Sequence, residues 1–97
     1  MEYDEIKTKE KIDKFASHML EAMRNHKHKG GWEDRAFLDM ISSIGDKFVS
    51  VLKAVNAKDI PRAAENLIHL ANHAMMMTDR LGYIERPLNE GSPNEPV

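Results

Sequence analysis

Apolar residues recur at three- and four-residue intervals along three separate stretches of this chain, a spacing that only an amphipathic α-helix turns into a continuous stripe. In the first, Ile12, Phe15, Ala16, Met19, Leu20 and Met23 predict a helix from about Asp4 to Asn25, with lysines and acids on the opposite side. The second stripe is Phe37, Met40, Ile41, Ile44, Phe48, Val51, Leu52 and Val55, in a helix expected to be capped by Asp34 and to end near Asn56. The third runs from about Ile60 to Leu81, with Asp59 as N-cap, Pro61 in the favoured first turn and Gly82 as the stop. Its expected buried side is Ala63, Ala64, Leu67, Leu70, Ala71, Ala74, Met75 and Leu81. No stretch alternates with the period of a strand, and no internal repeat is visible. The expected class is all-α.

The Asn56-Ala57-Lys58-Asp59 connection is too short for anything but antiparallel packing of the second and third helices, which makes the expected architecture an antiparallel bundle. A chain of 97 residues makes one domain, near the lower end of what its own core can stabilise. Residues 1–85 form that domain, and 86–97, rich in Pro, Asn, Glu and Gly, read as a flexible tail. On the third helix Ile68, Met76 and Met77 fall outside the main stripe. A helix apolar over much of its circumference needs a second partner surface, so the three helices are expected to be completed by self-association, through the third helix, as a homodimer or higher homo-oligomer.

The formal charge of −2 gives no general attraction to nucleic acid or anionic lipid, so any anion site has to be local. No DNA-reading motif is present, and duplex nucleic acid is not an expected partner. The absence of cysteine rules out disulfides, thiolate metal sites and thiol nucleophiles, and agrees with a reducing compartment. No apolar run is long enough to span a bilayer, and the amino-terminal segment lacks the apolar core of a secretory signal. The expected location is the cytoplasm. No Gly-x-Ser-x-Gly elbow or base–nucleophile spacing points to covalent catalysis.

Four groups of residues carry the candidate chemistry. The loop His26-Lys27-His28-Lys29-Gly30-Gly31-Trp32 sets cationic side chains beside glycines that let a phosphate approach the backbone, followed by a ring that can stack on a base. The same residues also fit a solvated interhelix loop in which Trp32 caps the core. Asp46 and Ser50 stand one turn apart, with Lys47 between them as a fixed cation, on what also reads as an exposed helix face. Glu65, His69 and His73 follow at four-residue spacing, which puts two imidazoles on one face; a transition-metal pair and a pair of polar interface residues are both compatible with it. Asn72 sets a carboxamide on an apolar stretch, where burial demands a hydrogen-bond partner from a ligand or another helix. Met75, Met76 and Met77 fit core and dimer packing or an adaptable binding surface.

The blocks His28-Lys29-Gly30-Gly31-Trp32 and Ala71-Asn72-His73-Ala74-Met75-Met76-Met77-Thr78-Asp79-Arg80-Leu81-Gly82 resemble the all-α nucleoside triphosphate pyrophosphohydrolases, in particular the small MazG-like proteins of phages and prophages. The likeness covers roughly residues 26–82. It implies a helical bundle completed by self-association, with a nucleotide lying against the Gly-Gly-Trp segment. Members of that family hold Mg²⁺ with Glu-Glu-x-x-Glu on one helix and Glu-x-x-Asp on the next. Here Asp46, Lys47 and Ser50 fall at the first motif, and Asn66 and His69 at the second. Mg²⁺ needs hard oxygen ligands in near-octahedral geometry, which this set does not supply. Shifting the register by one residue brings in Glu65 but also Ile68, and restores nothing.

The resemblance therefore implies a nucleotide-binding relative without catalysis, metal or cofactor. Its expected ligand is a nucleotide or phosphate-bearing small molecule, with His28, Lys29 and Trp32 at the rim of a cleft and Asp46, Lys47, Ser50, Asn66, His69 and Asn72 within it. For a phage or prophage protein, that chemistry suits sequestration of a nucleotide signal or interference with a host defence protein. Two alternatives stay open: an active enzyme with a metal site rebuilt from Asp46, Glu65, His69 and His73, and an interaction module that keeps the bundle only as a surface.

Overall fold

A computed structural model describes residues 3–25, 32 and 34–86 as an all-helical chain. Helix α1 covers Glu5–Asn25, α2 Phe37–Asn56 and α3 Ile60–Arg80, and there is no strand among the described residues. Helix α3 is the middle element: it packs on α2 and, less extensively, on α1, while α1 and α2 do not touch. The start of α2 meets the end of α3, as the short connection between them requires. Met19 of α1 lies beside Asn72 of α3, and Asn25 shares a cleft with Glu65, so α1 also runs antiparallel to α3. None of these helices is long and apolar enough to cross a membrane.

Local chemistry explains most of the helix ends. Asp4 accepts from the backbone N–H of Lys7 at 3.0 Å, and Asp59 from that of Arg62 at 3.3 Å, so carboxylates satisfy donors that the first turns of α1 and α3 would leave unpaired. At the end of α2, Lys58 N–H bonds to Val55 C=O and Asp59 N–H to Ala54 C=O, the paired bonds of a Schellman cap. The end of α3 repeats the arrangement, with Gly82 N–H on Asp79 C=O and Tyr83 N–H on Thr78 C=O. The expected Asp34 cap is not made. Ala36 occupies the N-cap of α2 without a side-chain bond, and Asp34 sits in a turn closed by Arg35 N–H on Trp32 C=O at 3.3 Å. That turn is held by Arg80, which sets the entry to α2 two residues later than the aspartate.

The buried apolar set among the described residues is small: Met40, Val51 and Ala54 from α2, Ala63 and Met76 from α3. The predicted α2 stripe is wider than one partner can cover. Met40, Val51 and Ala54 are enclosed, whereas Phe37, Ile41, Phe48, Leu52 and Val55 remain exposed because α1 does not reach this side. The expected buried side of α3 also needs correction. Ala64, Leu67, Ala74 and Leu81 are exposed, while Met76, placed by its spacing outside the stripe, is only 9% exposed within the single chain. A helix packed on two sides does not bury one stripe, so a single-face reading of α3 fails. Helix α1 has no buried residue; Met19, Ala22 and Met23 are half-covered near α3, and Ile12, Phe15 and Leu20 are exposed. The expected tail lies, apart from Arg86, outside the described residues.

Candidate functional site: a cationic junction between α2 and α3

The entry to α2 is fastened to the end of α3. The Trp32 indole N–H donates to Asp79 Oδ2 at 3.0 Å. Arg80 Nη1 donates to the backbone oxygens of Trp32 and Arg35 at 3.2 and 2.6 Å, and it lies 3.5 Å from the Met40 thioether. These bonds fix Arg35, whose Nη2 reaches along α2 to donate to Ser43 Oγ at 3.0 Å. Trp32 is half-buried and its one donor is used, so its position is that of a fastener between the loop and α3.

Further along, half-buried Lys47 lies on the side of α2 that faces α3. Opposite stands His73, also half-buried, whose imidazole is held below its ordinary value of 6.5, first by burial and then by the positive charges of Arg35 and Lys47 and by neighbouring His69. Burial and each of these neighbours work against a positive charge on His73. Chemically such a junction is suited to an anion, which the two cations attract.

The remaining predicted residues divide between the two sides of α3. Asn72, 3% exposed, donates through Nδ2 to Met19 C=O at 3.1 Å and so ties α3 to α1; its Oδ1 is buried with no hydrogen-bond partner. His69 stands 3.7 Å from Glu65 Oε1, and both line a cleft with His18, Glu21 and Asn25 of α1. Ser50 donates to Asp46 C=O at 3.0 Å, which occupies its hydrogen within the helix, and the Asp46 side chain is exposed. Asn66 is half-buried. At about 1.5 Å of rise per residue, Asn66 and the Trp32 partner Asp79 are about 20 Å apart along α3, so the two belong to opposite ends of the helix. His28 and Lys29, with the rest of 26–31, lie outside the described residues.

Among the described residues no three histidine, aspartate or glutamate side chains are grouped closely enough to hold a metal ion. The sequence reading missed Arg35, Ser43 and Arg80. Arg35 stands three residues after Trp32, and Arg80 lies inside the block that carries the family likeness, but an arginine at a helix end is ordinary surface until its partners are known. Compared with protein-family models, curated proteins and solved structures, the chain matches none.

Proposed function

We propose that this protein is a non-catalytic, MazG-like binder of a nucleotide or other phosphate-bearing small molecule, working as an assembly of more than one copy. The observation that carries the reading is that the positive charges of Arg35 and Lys47 on α2 and its entry both act on half-buried His73 of α3. In the register implied by the family likeness, Lys47 replaces a metal-binding carboxylate. The substitution turns a position that would repel phosphate in the absence of metal into one that attracts it. A phage or prophage origin, with a nucleotide signal or a host defence protein as the target, is the biological setting this chemistry suits.

Pyrophosphate release from the common nucleoside triphosphates, measured with Mg²⁺ and with Mn²⁺, tests the non-catalytic part. The expected result is no turnover above the protein-free control, because Asp46, Lys47, Ser50, Asn66 and His69 do not supply the oxygen ligands that would polarise a triphosphate. Metal-dependent turnover abolished by Asp46→Asn would overturn it.

A further inference from the structure

The flank of α2 beside its buried Met40, Val51 and Ala54 carries Phe37, Ile41, Phe48, Leu52 and Val55, each between 40% and 54% exposed, with Leu38 and Val49 further round the helix. The five follow the four- and three-residue steps of one helix face, and half-buried Ile44 completes the row. The row is about 27 Å long at 1.5 Å per residue and contains no charged residue. We propose that this apolar flank of α2 is the surface on which a second copy of the chain docks. The proposal deepens the self-association in the functional reading above, moves it from α3 to α2, and does not depend on any ligand.

Three observations single out a second copy. The first is area. With whole aromatic side chains covering about 150–250 Å², the five half-exposed residues present roughly 400 Å² of apolar surface. Leu38 and Val49 raise that to the upper end of the about 300–600 Å² found for the largest patch on a monomer. With its polar rim the face approaches the about 800 Å² per partner of a stable interface. The second is composition. A contact centre without charge resembles a homodimer core more than a transient contact between different proteins, and two identical uncharged rows related by a two-fold axis bring no like charges together. The third is the size of the core: Met40, Val51, Ala54, Ala63 and Met76 are the buried apolar residues of the described chain, too few to expect a lone domain of this size to be comfortably stable.

The sequence contains no cysteine, so single introduced thiols report on this face without background. Phe48→Cys places a thiol in the row, and Ser42→Cys places one on an exposed position outside it. Sedimentation of the unmodified chain should show a dimer or a multiple of it at micromolar concentration. Thiol modification should be at least tenfold slower at Cys in position 48 than in position 42, the difference vanishing on dilution below the dissociation range. Phe48→Glu should shift the assembly toward monomer, or unfold the chain if folding requires the partner. A monomer at high concentration, or a dimer in which both thiols react equally fast and Phe48→Glu associates like the parent, overturns the proposal. Nucleotide binding by a monomer would remove this proposal and leave the ligand-binding reading standing; a dimer that binds no nucleotide would do the reverse.

Discussion

Trp32 ties the entry of α2 to the end of α3 through Asp79 and Arg80. Beside two glycines and a basic cluster it reads as a platform for a base, yet its indole N–H is committed to Asp79 and its carbonyl to Arg80. Trp32→Phe keeps an aromatic ring and loses the donor. It should lower stability by about 1.5–3 kcal/mol in chemical denaturation, the range for a hydrogen bond to a charged group. His73 gives a second residue-scale expectation. Its folded-state value is lowered, so in the window from 6.5 down to that value the unfolded chain binds a proton that the folded chain does not. Stability should therefore fall as pH drops through this window. His73→Gln should flatten the dependence, as read from urea midpoints at pH 7.5 and 5.5; an unchanged pH slope would contradict the assigned burial and charge.

At the scale of the helix, the two Schellman caps form a natural comparison. Gly82 takes the left-handed turn after α3 with φ 84°, where it has no side chain to strain, whereas Lys58 takes the matching position after α2 with φ 61°. Lys58→Gly should stabilise the chain by about 1 kcal/mol, and Gly82→Ala should destabilise it by a similar amount, since an L residue pays about 1–2 kcal/mol there. An added Cβ at Gly82 meets nothing within 4 Å, so that cost is purely one of backbone conformation. The helices themselves were legible because their signals are local: Asp59, Pro61 and Gly82 act within one turn of where they stand. Asp34 was misread because the turn that displaces it is held by Arg80, forty-odd residues away in sequence. The buried sides of α2 and α3 were only partly legible, for periodicity marks an apolar face but not how many neighbours arrive to cover it.

At the scale of the molecule, α3 serves two partners, α1 and α2, that do not touch each other. The junction of α2 with α3 brings together Arg35, Lys47 and His73; the flank of α2 carries Phe37, Ile41, Phe48, Leu52 and Val55. Lys47 and His73 were visible in the sequence as separate residues on separate helices. Their common neighbour Arg35 was not, since it is brought there by Trp32, Asp79 and Arg80 acting together. The proposed function requires this junction to hold an anion with fixed protein charge. Calorimetric titration of nucleoside triphosphates into the protein in EDTA tests that claim most directly, with Lys47→Glu alongside. Binding should survive EDTA and weaken at least tenfold, about 1.4 kcal/mol, in Lys47→Glu. Binding that vanishes on chelation, no binding by the parent, or equal affinity in the Lys47→Glu variant would contradict that claim.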